Sequence, residues 1–387
     1  MSFTAFPEPS AESRPARPKW GLIAAGGAAV VAVVVAAVAV HLAGSSSSSS
    51  PDSPQAAANA AAIVAASPSS AASATTKPAA TKPAASTPPK KAKPGWIPVD
   101  QAAWSAQVAA FKARKVDPVP AGVGDKPEFR ADCTYSHRLA DDPIVLPGLP
   151  GASHMHSFVG NKAVDASTTA GDLTKFTATT CQPTVDHSSY WVPTLYDDAT
   201  KKPVETTGFR VYYRSIRSNS AGMMPIPTGL RMIAGDAKKK VPTPRGAQGQ
   251  FYCAFYGPGD LDGIARSADG NWPICGEPAT LHFMLQFPDC WDGKNLDSPN
   301  HKDHLAYGTD SACPKDHPVR IPALTFDIQY GVKGTTQGYY LSSDPAGKSA
   351  SSMHGDAFLM WDSDAMNKRT KDCVLQRRTC DDNGYLR

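Results

Sequence analysis

Chemistry-bearing side chains are densest between Phe287 and His304, in Phe287-Pro-Asp-Cys-Trp-Asp-Gly-Lys-Asn-Leu-Asp-Ser-Pro-Asn-His-Lys-Asp-His304. This stretch holds Asp289, Asp292, Asp297, Asp303, His301, His304, Trp291 and Cys290, framed by the turn formers Pro288, Gly293 and Pro299. A second cluster runs from Asp142 to His156 and ends in the His154-Met-His156 pair. A third runs from Met353 to Trp361 and contains His354-Gly-Asp356. Three such clusters in one chain point to a single polar site.

Each cluster has a functional and a plainer reading. On a strand, His154 and His156 project to one face, and neutral imidazoles so placed can share a metal. No Glu follows in residues 157–161, as a cupin arrangement would need. The plainer reading is a pair of hydrogen-bonded His in a turn after Pro147-Gly-Leu-Pro-Gly151. If 301–304 is a helical turn, His301 and His304 share a face. With His154 and His156 they would offer up to four imidazoles to a divalent metal. A hard cation would instead take Asp289, Asp292 and Asp297. Against this stands ordinary turn chemistry, in which such carboxylates cap backbone N–H groups. In His354-Gly-Asp356 the Asp can orient an imidazole, and Gly355 allows a close approach. The alternative there is a polar turn before the apolar Phe358–Met360 run.

Two classes of function follow. One is a hydrolase acting on an envelope or extracellular glycan. Its acid and base would come from His154, His156, His301, His304 and His354, and its carboxylates from Asp142, Asp292, Asp297 and Asp356. A glycosidase needs two carboxyl groups roughly 5–10 Å apart. Glu is scarce, with only Glu128, Glu205 and Glu277 after residue 96, so the pair would have to be Asp. Tyr190, Trp191, Trp291 and Trp361 are the candidate sugar-stacking rings. The other class is a non-catalytic polysaccharide-binding or structural wall-associated module. Clusters converging in one cleft favour the first; clusters saturated by local backbone hydrogen bonds favour the second.

The elements that must position these residues begin far from the N-terminus. Residues 1–19 are polar and read as a cytoplasmic tail. Leu22 to Ala43 carries no charge, about the 20 residues needed to cross a membrane. Arg14, Arg17 and Lys19 precede it, placing the N-terminus in the cytoplasm. Residues 20–43 are therefore expected to be a transmembrane signal anchor in a single-pass protein, with a cleaved signal and secretion as the alternative. Residues 44–95 are a Ser/Ala/Pro/Lys linker with too little apolar surface to fold. Residues 96–387 form the extracytoplasmic domain. Eight of the 39 Lys and Arg, but only three of the 35 Asp and Glu, precede residue 96, so the domain is near neutral. The basic stripe typical of a nucleic-acid binder is missing. The expected partners are the membrane, through the N-terminal helix, and a cell-wall polysaccharide.

All eight Cys (133, 181, 253, 275, 290, 313, 373 and 380) follow the linker. An even number in an oxidising compartment reads as four disulfides whose pairing the sequence leaves open, with Cys373–Cys380 a plausible local clip. No Cys-x-x-Cys pair suggests a zinc module. Trp104, Val108 and Phe111 space a short helix over 101–115. Short apolar runs split by turn formers then predict strands at Ser189–Tyr196, Phe209–Arg214, Gly229–Ala234, Thr280–Phe287, Leu324–Tyr330 and Tyr339–Leu341. The fold class is mainly β: a disulfide-bonded sandwich or irregular barrel with long loops and a few short helices.

At these motifs the chain resembles the DUF1996 family of secreted or surface domains. The resemblance rests on Asp142-Pro-Ile-Val, Pro147-Gly, His154-Met-His156, Tyr190-Trp-Val-Pro193 and Gly229-Leu-Arg-Met-Ile-Ala-Gly-Asp236. It continues through Phe287-Pro-Asp-Cys-Trp-Asp-Gly293, Leu296-Asp-Ser298, His301-Lys-Asp-His304, Cys313-Pro and His354-Gly-Asp356. Asn300 before His301, and Ala357-Phe after Gly-Asp, depart from the family pattern. The resemblance implies a secreted or surface-attached domain and brings no reaction with it.

Overall fold

The computed structural model describes residues 95–241, 249–255, 265–266, 271–335 and 338–387. Two antiparallel sheets face each other across one core. The first has six strands, in the order Ala265–Arg266, Gly249–Ala254, Thr280–Gln286, Ala323–Gln329, Gly208–Arg214, Glu128–Cys133. The second has five, in the order Tyr135–Leu139, His156–Gly160, Ser189–Pro193, His354–Phe358, Arg231–Gly235.

Alternation decides which face each strand buries. In Gly208–Arg214, Phe209, Val211 and Tyr213 turn inward while Arg210, Tyr212 and Arg214 are only partly covered. From the five-stranded sheet, Val159, Tyr190, Val192, Met232, Ala234 and Ala357 join the same core. Gly355 also lies on this inner face. A Cβ there would stand 2.8 Å from a Leu285 methyl and 2.9 Å from the Phe326 ring, so the bare glycine lets the sheets close.

The five-stranded sheet is buried on its outer face too. Phe158, Trp191 and Phe358 project outward and pack with Ile144, Val164, Leu173 and Met360 in a second, smaller core. This second core is why His156–Gly160, Ser189–Pro193 and His354–Phe358 are buried at every position.

Four disulfides tie the loops: Cys133–Cys181, Cys253–Cys275, Cys290–Cys313 and Cys373–Cys380. Helix Gln101–Ala113 starts at Asp100, whose carboxylate accepts from the Ala102 and Ala103 N–H groups. Its Trp104 meets Trp291 edge-on at 5.2 Å. Helix Ser363–Arg369 runs on into a π-helical turn, Thr370–Leu375.

One expectation is corrected here. Among the described residues no helix is long and apolar enough to cross a membrane, which overturns the expected single-pass, membrane-partnered protein. The run 20–43 on which that reading rests lies outside the described residues, as do the tail 1–19 and all of the linker 44–95 but its last residue.

Candidate metal centre

The outer face of the five-stranded sheet brings two of the three sequence clusters into contact. His156 is paired with Pro193, and Asp356 with Trp191, on opposite sides of the Ser189–Pro193 strand. Strands two apart are separated by about 9–10 Å, yet the His156 and His354 rings reach across to 5.7 Å between centroids. His154, at the entry to its strand, completes the group at 4.2 Å from His156 and 5.0 Å from His354. One ligand nitrogen from each of the three lies within 4.8 Å of the others.

The backbone sets two of the tautomers. His156 Nδ1–H donates to the Asp141 carbonyl at 2.9 Å, and His354 Nδ1–H donates to the Ser352 carbonyl at 2.8 Å. Each therefore presents an Nε2 lone pair, the arrangement by which carbonyl partners orient metal-binding imidazoles. The Nε2 atoms of His154 and His156 are buried with no protein partner. Asp356 lies alongside, with Oδ2 4.0 Å from His354 Nε2 and both carboxylate oxygens buried and unpartnered. A buried polar group left without a partner costs about 1–3 kcal/mol, so this arrangement calls for something to bind.

Electrostatics favour the neutral imidazole a metal requires. Burial first, and a neighbouring imidazole of the trio second, lower His154, His156 and His354 to about 3. Burial raises Asp356 well above the carboxylate range, and the charge of Asp142 adds to this while Lys302 opposes it. Burial also raises Asp142, against the N–H groups it accepts.

The Phe287–His304 cluster lies nearby but is committed to its own scaffold. His304 Nε2–H donates to the Arg231 carbonyl at 2.7 Å, and its Nδ1 meets Ser298 Oγ at 3.0 Å. Both nitrogens are thus occupied, and His304 drops out of the expected metal set. His301 Nδ1–H donates to Asp297 at 3.0 Å, and Arg231 pairs with the same carboxylate at 3.1 Å. Asp292 accepts from the Lys294 and Asn295 N–H groups, and Asp142 from those of Ile144 and Val145. Asp289 is paired with buried Arg217.

The four candidate sugar-stacking rings are interior: Tyr190, Trp191 and Trp291 have no exposed surface and Trp361 only 5%. Tyr190 instead bonds Asp186 and Tyr213, and Trp361 donates to Tyr213. With three of the four candidate carboxylates capping backbone or held in ion pairs, and no ring offering a face, the expected membrane-anchored glycan hydrolase gives way to the non-catalytic alternative.

Among the described residues one further grouping has metal-like spacing, Cys133, Cys181 and Asp186. Its sulfurs are bonded to each other and its carboxylate accepts from Ser188 N–H and Tyr190 OH. Asp141, Ser352 and Arg231 were not singled out by sequence. Asp141 stands directly before Asp142 and Arg231 lies in the Gly229–Asp236 motif, but main-chain carbonyls leave no signature in residue types.

The domain of unknown function DUF1996 matches residues 142–361, and the chain belongs to that family. No curated protein and no solved structure matches it.

Proposed function

We propose that this DUF1996 domain is a non-catalytic extracytoplasmic module that holds a divalent transition metal and uses it in binding a wall or extracellular polysaccharide. The observation that carries the reading is the convergence of three imidazoles whose ligand nitrogens lie within 4.8 Å of one another, two of them aimed by backbone carbonyls. All-imidazole sites suit zinc, copper, nickel or iron rather than magnesium or calcium. Asp356 stands beside the trio, with Oδ2 4.0 Å from His354 Nε2. A bound ion would contribute a fixed positive charge and relieve the unpartnered nitrogens. Four disulfides suit an oxidising compartment.

The test is to strip the purified protein with a chelator and titrate zinc back while following thermal unfolding. Saturable uptake of about one equivalent is expected, with stability raised by about 2.7 kcal/mol at a free-metal concentration 100 times Kd. Unfolding that is insensitive to every transition metal would refute the reading.

A further inference from the structure

Lys302 belongs to the Phe287–His304 cluster, but its side chain takes no part in the cluster's internal network. Its ammonium donates to the Gly235 carbonyl at 2.9 Å, and Gly235 is the strand partner of His354. The close fit is enforced at Gly235, where φ is +85° and a Cβ would meet the Met353 carbonyl at 2.7 Å. Lys302 is thus an exposed cation fixed beside the histidine cluster, and its charge is felt at both His354 and Asp356. One carbonyl occupies one of the three ammonium donors. The other two remain for a ligand.

His154 is only partly buried, so its ring is the part of the trio nearest solvent. A ligand arriving there meets a dication and Lys302. It also meets opposing carboxylates, Asp236 near His354 and Asp142 near Asp356. That balance favours a singly charged anion over a dianion. No aromatic platform among Tyr190, Trp191, Trp291 and Trp361 is open to stack a neutral sugar.

We infer that the three-histidine centre and Lys302 together recognise a carboxylate, borne by an acidic sugar of the polysaccharide. The inference rests on the metal reading above. A carboxylate held at the trio would leave an oxygen for a charge-assisted hydrogen bond from Lys302, which makes Lys302 the residue that would select acidic over neutral polymer.

The test uses the purified protein loaded with cobalt(II), whose visible absorption reports on its ligands. The probes are a galacturonic acid trimer, acetate, a neutral glucose trimer and inorganic phosphate. The acidic trimer is expected to change the spectrum saturably and the neutral trimer to leave it unchanged. Lys302→Ala is expected to weaken the acidic trimer about tenfold, consistent with loss of one hydrogen bond to a charged group, at unchanged cobalt content, and Lys302→Arg to restore most of it. Equal affinity in wild type and Lys302→Ala, or phosphate binding more tightly than the acidic trimer, would overturn the inference. Acetate binding as tightly as the trimer would overturn the assignment to a polymer. Failure to load cobalt at all would instead refute the metal reading.

Discussion

Two regions of this domain look alike in sequence and differ in what their side chains have left to offer. The Phe287–His304 loop has the greater density of His and Asp, yet its buried His and Asp side chains are engaged. Asp292 caps backbone, Asp297 holds Arg231 and His301, and both His304 nitrogens are taken. The histidine trio on the outer sheet face has fewer residues, but they carry unpartnered buried nitrogens beside a buried unpartnered carboxylate. The count of functional residue types is therefore a poor guide to a site. What marks one is polar atoms held in place and not satisfied.

That contrast can be broken by mutation. The largest effect on stability is expected where the loop is anchored, at Arg217, whose guanidinium is buried against Asp289 and Cys290 Sγ. Arg217→Ala leaves a buried carboxylate unpaired and should cost about 3–5 kcal/mol. Denaturant unfolding measures this, and a loss below 1 kcal/mol would deny the loop its scaffold role. Next, His304→Ala strands the Arg231 carbonyl and should cost about 1–3 kcal/mol while metal content stays at the wild-type level. At the trio the pattern should invert. His154→Ala removes no protein hydrogen bond from its Nε2, so the metal-free protein should lose less than about 1 kcal/mol even though metal binding disappears.

A pH titration sharpens the same distinction. The folded-state values of His154, His156 and His354 are lowered to about 3 from an ordinary 6.5. The unfolded chain therefore takes up protons first as pH falls. The stability these residues contribute is complete above about pH 6.5 and is lost progressively toward pH 3. Thermal melts of metal-free wild type should show this acid loss, and the loss should shrink in a His154→Ala, His156→Ala double variant. An unchanged slope would mean that the trio is already charged in the folded protein.

Much of the scaffold was legible because burial follows alternation. Gly208–Arg214 and Thr280–Gln286 fall close to their expected positions, and Tyr339–Leu341 falls on its own. The strands that carry the centre were not legible. His156–Gly160 and His354–Phe358 are covered on both faces, so neither shows a period of two. The His-x-His pair and His354 were each named from sequence, but their meeting depends on a strand order that places Ser189–Pro193 between them. The error of grouping His304 with them arose because its partners, the Arg231 carbonyl and Ser298, are set by tertiary packing.

The central claim is that the metal-binding capacity lies in the trio and not in the loop. Elemental analysis of purified wild type, His354→Ala and His304→Ala tests it most directly. About one equivalent of transition metal is expected in wild type and in His304→Ala, and none in His354→Ala. Metal retained in His354→Ala, or lost from a folded His304→Ala, would contradict it.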